Sequence, residues 1–570
     1  MLNLVAEKSL ARLLMWGSAF ITVFIVWGSV TDPVNVTKLA ALGGIAGAGF
    51  TIAISFGAKN LWASNKLTII LLVVFLLTVV NSVIQSGAPL NQKVYGIFGR
   101  STGTITYVLL IALFVAGLSL FNQASFLKIS YGLLGAGAIN VSYSLWAITF
   151  GDFIGWSNPY GNILGTFGNP NFIGAFLGIF ASVLFAYLLK PNLALVYRAI
   201  SFITLAITFI EIKSSHAVQG IVVSAGGMAL VGFYFIRSKF KSNLILATYS
   251  GLVLLTSAIA ALGALQIGPL TSLIYKNSVS LRGEYWQAAW NMGMKFPFHG
   301  VGMDSYGDWY RRLRDDHALI NPGPNIVTNA AHNVVLDQFA YGGWPMLIAY
   351  LAILILVAIS IVKVSVRSRD FNFTFIGLAV AWVCYQVQSL ISINQIGLAI
   401  WGWLLGGVLI AYEKTTRIVN QENSTGTANK SGKQVKVKQS FGLSPFTVGA
   451  LGAVIGLLIA SPPLSADIKW QTALRSTNVD QVDAALNPGY LNPQNSARYA
   501  SAVQQLEANK FYDLSYKYAK IGIAFNSDYF DAWKLMYYIQ KSTAEEKDLA
   551  RKNLIRLDPQ NKTIFDVPKS

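Results

Sequence analysis

The chain has 570 residues, of which 54% are apolar and only 12% charged. A soluble chain carries about 25% charged residues, so composition excludes an ordinary soluble multidomain protein and indicates an integral membrane protein. The net charge of +18 lies mostly in short loops between apolar segments, which is the positive-inside pattern of a membrane protein and not the footprint of a nucleic-acid binder.

In chain order, apolar segments long enough or nearly long enough to cross the hydrocarbon layer fall at 13–30, 38–58, 67–84, 105–121, 127–148, 170–189, 194–212, 217–236, 243–263, 340–363, 372–392, 396–413 and 442–462. They predict an all-α polytopic fold of thirteen spans. With the N-terminus inside, the inner loops collect Lys8 and Arg12, Lys59 and Lys66, Lys128, Lys190 and Arg198, Arg237, Lys239 and Lys241, and Lys363, Arg367 and Arg369. The first segment lacks a small-residue cleavage site and is read as an uncleaved anchor. The chain then divides into a membrane body at 1–413, a basic inner linker at 414–441, a last span at 442–462 and an outer tail at 463–570. The linker, rich in Ser, Thr, Asn, Gly and Lys, is expected to lack a fold of its own. One outer loop, about 264–339, is long and basic; long loops escape the positive-inside rule.

That loop is the first place to look for chemistry. Ser280–Phe296 reads as an amphipathic helix able to lie in the membrane interface. The turn Pro297–Ser305 follows, then Arg311, Arg312 and Arg314, then His332-Asn333 at the entry to the tenth span. Arginine suits phosphate because its planar fork donates two parallel hydrogen bonds. Arg282 and the cluster are therefore candidates for a lipid-linked pyrophosphate; snorkelling or pairing with Asp315 and Asp316 are the plain alternatives. All four histidines, His216, His299, His317 and His332, fall on or near the outer face, which favours acid–base work there near neutral pH. Two shorter outer loops add Arg100 within Gly96–Gly103, and Asn169-Pro170-Asn171, a helix-entry signal. His216 reads as a polar cap.

Absences matter too. The single cysteine, Cys384, excludes a disulfide framework. No Walker A sequence and no nucleophile elbow occurs, and no outer cluster has metal-ligand spacing, so a reaction without metal or cofactor is expected. Few ionisable residues lie deep in the spans, which weakens an ion-coupled transporter. In the tail, Asn492-Pro493, Asn526-Ser527 and Asp558-Pro559 recur 34 and 32 residues apart, near the tetratricopeptide period. A plain helical bundle is the alternative there.

On these residues the body, about 67–413, resembles the O-antigen ligase and O-antigen polymerase superfamily of bacterial membrane glycosyltransferases, which includes protein O-oligosaccharyltransferases. The resemblance is carried by Arg282, Pro297, Gly300-Val301-Gly302, His332-Asn333, Leu336 and Gly342-Gly343. The Gly165–Asn171 turn and the Gly99-Arg100-x-x-Gly103 loop add to it. It implies a GT-C-like helical fold and transfer of a glycan from an undecaprenyl-pyrophosphate carrier to a lipid, glycan or protein acceptor at the outer face of the cytoplasmic membrane. It further implies that His332 activates the acceptor and that Arg282 and Arg100 neutralise the leaving pyrophosphate. Arg311, Arg312, Arg314, Asn169, Asn171, Asn333 and His216 are added as substrate-binding candidates, with membrane lipids as surroundings and the tail as a site for a protein partner. One departure is that Ser214-Ser215-His216-Ala217 stands where many ligases carry Ser-Arg-Gly. A polysaccharide or lipid transporter and an envelope-assembly scaffold are the competing readings.

Overall fold

The computed structural model describes residues 2–156, 158, 161–274, 277–424, 443–476, 478–562 and 565. Among them every regular element is a helix. The body is built from α1 (Leu4–Val23), α2 (Asn35–Gln85), α3 (Leu90–Tyr95), α4 (Thr104–Leu118), α5 (Gln123–Phe150), α6 (Pro170–Leu188), α7 (Leu195–Ser214), α8 (Val218–Lys239) and α9 (Asn243–Ala264). The long loop holds α10 (Thr271–Ile274), α11 (Asn277–Lys295), α12 (Tyr306–Leu313) and α13 (His317–Ile320). The body closes with α14 (Val334–Arg367), α15 (Phe373–Ser389), α16 (Ile396–Ser424) and α17 (Pro445–Ala460). The tail comprises α18 (Pro462–Arg475), α19 (Val479–Leu486), α20 (Ser496–Ala508), α21 (Tyr512–Phe525), α22 (Phe530–Tyr538) and α23 (Ala544–Leu557).

Eight of the described helices are long and apolar enough to cross a membrane, or nine if the bent pair α17–α18 is one span. The chain is a multi-pass α-helical membrane protein. Several predicted boundaries move. The segment expected at 13–30 is helical at Leu4–Val23 instead. The buried Glu7 carboxylate accepts the backbone N–H groups of Phe121 and Asn122 at 2.9 and 2.8 Å, which anchors the helix start inside the bundle. α16 continues to Ser424, eleven residues past the expected end at 413. Lys430, Lys433, Lys436 and Lys438 of the expected linker lie outside the described residues. The chain bends by 50° between α17 and α18, where Pro462 and Pro463 cannot donate to the preceding turn and instead begin a new helix.

Two predicted spans fall within α2. A straight helix of 51 residues would run about 76 Å. Yet both of its ends lie beside the same loops. Asn35 donates to Gly99 O at 3.0 Å and Ser86 to Val301 O at 2.9 Å, and these loops meet where Ile97 N–H donates to Asp304. The reversal is at Asn65, whose backbone leaves the helical region (φ −132°, ψ 26°). Lys414 closes the bend by donating to Ser64 O and the Asn65 side chain. The first half of α2 packs on α17 through glycines: a Cβ at Gly43 would sit 2.4 Å from Gly456 O. Small residues let helix backbones approach where no hydrophobic drive separates protein from lipid.

A second break sets the site. α14 leaves the helical region at Gly343 (φ 66°, ψ −160°). The freed backbone groups are taken up by the Pro297–Gly302 turn: Trp344 N–H donates to Pro297 O (2.8 Å), Val301 N–H to Ala340 O (2.8 Å) and Gly302 N–H to Tyr341 O (3.2 Å). A side chain at 343 would collide with Pro297 O. The two glycine-containing stretches thus form one welded unit at the end of α14 that bears His332.

The tail helices pack in sequence around a separate core that includes Trp470, Tyr499, Tyr518 and Trp533. They also dock on the body. Asp467 accepts Thr31 N–H and Asp32 N–H at 2.8 and 2.9 Å, and Asn526 donates to Asp308 at 3.3 Å.

Candidate active site

His332 occupies a tight turn immediately before α14. Asn333 caps that helix, accepting from Val335 N–H and Leu336 N–H at 3.0 and 3.1 Å, as an Asn N-cap does. Asp337, one turn in, reaches back to accept Ala331 N–H at 2.7 Å. These bonds hold His332 in the left-handed region (φ 55°), a conformation that costs energy for a residue with a Cβ and persists only when its surroundings impose it. Nδ1 lies 3.3 Å from Ala330 O, so that nitrogen carries the proton and Nε2 keeps its lone pair. The ring leans on Tyr285, centroids 5.4 Å apart.

Arg100 reaches the same place from the Gly96–Gly103 loop. The loop is folded around the buried Asp304, whose carboxylate accepts from Ile97 N–H (2.9 Å), the Thr102 hydroxyl (3.1 Å) and the Tyr341 hydroxyl (3.3 Å). Gly96 has φ 90°, and a Cβ there would meet Asp304 Oδ2 at 2.5 Å; the close approach requires glycine. Burial pushes the Asp304 carboxyl up, while its donors and Arg100 pull it back. The Arg100 guanidinium feels Asp304, Tyr341, Asp337 and Asp32. Arg282 enters from α11, and its Nε is buried with no hydrogen-bond partner.

Both guanidiniums act on His332. Burial is the largest cause that pushes its pKa down to about 4; Arg100 follows, with Arg282 smaller, against the bond to Ala330. The imidazole is therefore neutral at neutral pH and a weaker base than a free histidine, with two cations acting on it. The Arg282 N–H is thus a buried donor that still lacks an acceptor. Below the arginine a void of about 10 Å³, lined by Arg100, Asp304, Asp337 and Asn394, is barely large enough for one water. Its floor is polar: Tyr107 OH accepts from Gln338 (2.6 Å) and Asn394 (3.2 Å).

The other sequence candidates lie elsewhere. Arg311 and Arg314 pair with Asp558 of the tail at 3.1 and 2.7 Å, and Arg312 with Asp528 at 2.8 Å. Arg311 also stacks on Phe530, 4.1 Å from its ring centre. The cluster is thus engaged by tail carboxylates, and neither Asp315 nor Asp316 forms a salt bridge with it among the described residues. Asn169 caps α6, accepting from Asn171 N–H at 2.9 Å, and the Asn171 side chain is exposed. Asn333 serves the helix start and His216 lies exposed in the α7–α8 turn (φ 53°). His299 contacts Gly300 O and His317 contacts Glu284, at 2.8 and 2.7 Å.

Sequence reasoning missed Asp304, Asp337, Tyr341 and Tyr285. Asp304 was visible as a lone carboxylate inside a glycine-rich turn flanked by arginines, and Asp337 as an acid five residues beyond His332 at the mouth of an apolar span. Among the described residues no group of three or more His, Cys, Asp or Glu side chains is placed to hold a metal ion. The chain matches no protein-family model and no curated protein.

Proposed function

We propose that the chain is a membrane glycosyltransferase of the O-antigen ligase/polymerase kind. It transfers a glycan from an undecaprenyl-pyrophosphate carrier to a lipid, glycan or protein acceptor, and it needs no metal. The observation that carries this reading is the convergence of Arg100, Arg282 and His332, which are 182 and 50 residues apart in sequence, around one imidazole.

Each residue has a task that its surroundings suit. The acceptor hydroxyl attacks the anomeric carbon and its proton passes to His332 Nε2. The bond from that carbon to the pyrophosphate oxygen breaks, and the leaving dianion is held by Arg100 and the buried fork of Arg282. Pyrophosphate is a good leaving group, so charge stabilisation outweighs acid catalysis. A positioned base supplies about 10²–10⁴-fold. Asp304 and Asp337 hold the two loops in place and compensate Arg100 while the site is empty. We further infer thirteen crossings, α2 and the short α4 and α15 included, with the N-terminus and the basic 414–441 linker inside and a tetratricopeptide-like tail outside, at the cytoplasmic membrane.

The test is release of undecaprenyl pyrophosphate from a lipid-linked oligosaccharide by the purified chain, with lipid, glycan and protein acceptors offered in parallel. Acceptor-dependent release supports the reading, and the acceptor that works names the branch. No release with any of the three, from folded protein, contradicts it and favours a transporter or scaffold.

A further inference from the structure

A roomy cavity lies at the other end of the bundle. His332 lies just before α14 and Arg367 ends it; beyond the break at Gly343 the stretch 344–367 rises about 36 Å. Asp370 and Phe371 follow Arg367, and they border a cavity of about 860 Å³ whose other walls come from the end of α6, the first turns of α7 and the end of α8. The opening exists because α7 packs on α6 and α5 and hardly touches α8.

Its lining has two chemistries. Leu195 and Phe202 present apolar surface, 79% and 64% exposed. Lys190, Arg198 and Lys239 stand at the same cavity with a single carboxylate, Asp370. The Lys190 and Lys239 amines lie 5.8 Å from the ring centres of Tyr187 and Phe235, which holds both at the rim. None of the three cations forms a salt bridge with a described residue. Loop charge alone would scatter such residues along the interface; here one loop, one helix start and one helix end deliver three of them to one apolar-walled recess.

We propose that this cavity binds an anionic phospholipid, its phosphate among Lys190, Arg198 and Lys239 and its acyl chains along Leu195 and Phe202. A basic pocket between membrane helices on the inner side is the expected form of such a site. The apolar walls favour an intact lipid over a free phosphate. The site is independent of the transfer reaction and stands or falls without it.

The experiment is native mass spectrometry and thermal unfolding of the delipidated full chain, with phosphatidylglycerol or phosphatidylcholine added back. Wild type should retain phosphatidylglycerol preferentially and unfold at a higher temperature with it. Lys190→Gln/Arg198→Gln/Lys239→Gln should weaken retention on the order of 10²-fold, from three charges near a phosphate. Ala199→Trp, which places a bulky ring in the cavity and leaves the charges, should also weaken lipid retention. Lys59→Gln/Lys66→Gln, on the same side but away from the cavity, should keep it. Equal retention of the two lipids overturns the proposal. So does undiminished retention in the triple variant, an equal loss in the Lys59/Lys66 variant, or displacement by millimolar glycerol phosphate, which would mark a bare phosphate site.

Discussion

Asp558→Ala should open the α12–α23 contact between tail and body. Arg314 and the Asp558 side chain are both fully buried, and Arg311 is 13% exposed. The carboxylate takes two bonds from Arg314 Nη2 (2.8 and 2.7 Å) and one from Arg311 (3.1 Å). Among the described residues each guanidinium has one further hydrogen bond, to Pro324 O. Removing the carboxylate strands a fully buried cation, a loss of about 3–5 kcal/mol. At about 1.4 kcal/mol per decade, the population with an open α12–α23 contact should rise about 10²- to 4 × 10³-fold. Hydrogen exchange of the α12 and α23 amides reads that population directly. Arg314→Met/Asp558→Leu should recover most of the protection, because no fully buried charge remains and Arg311 can turn to water. Exchange in Asp558→Ala within about threefold of wild type, or a double variant as open as the single, would refute this account of the clamp.

Three further outcomes follow from the site. The donor-specific kcat/KM should stay flat from pH 8 to about 5 and fall below that, because His332 is held at about 4; an acid limb near 6.5 would show that the arginines do not face it. The same depression means that His332 binds more protons in the unfolded chain between 6.5 and 4, so this residue's contribution destabilises the fold as pH falls through that window and has no effect above it. Bound pyrophosphate offsets the arginine charge, so the limb in kcat should lie higher than that in kcat/KM. Arg282→Lys should lose roughly 10-fold or more in transfer, since a point charge lacks the fork; near-normal turnover would remove the bidentate role. Asp304→Ala should cost about 10²-fold by loosening the Arg100 loop, with Asp304→Asn between it and wild type, and an active, folded alanine variant would show that the loop needs no such anchor.

The helices were legible because span length and apolarity report them directly: each predicted span coincides at least in part with a helix. What moved were ends governed by tertiary contacts, such as Glu7 held by the Phe121–Asn122 backbone. Arg100 stood out between glycines, Arg282 on the amphipathic outer-loop helix and His332 at the entry to a span. Their geometry was not legible, because Asp304 and Asp337 act through backbone bonds to loops distant in sequence or folded back on themselves. The Arg311–Arg314 cluster shows the opposite error. Its charge suggested a free anion site, but its partners, Asp528 and Asp558, lie more than 200 residues further on, beyond the reach of local pattern.

The most direct test of the central claim is glycan transfer by the wild type and His332→Ala, purified alike, with the tail dock verified by hydrogen exchange in both. The account predicts transfer from the undecaprenyl-pyrophosphate donor in wild type and a loss of 10²-fold or more in the variant, with donor binding retained through Arg100 and Arg282. Equal transfer by the two proteins would contradict it.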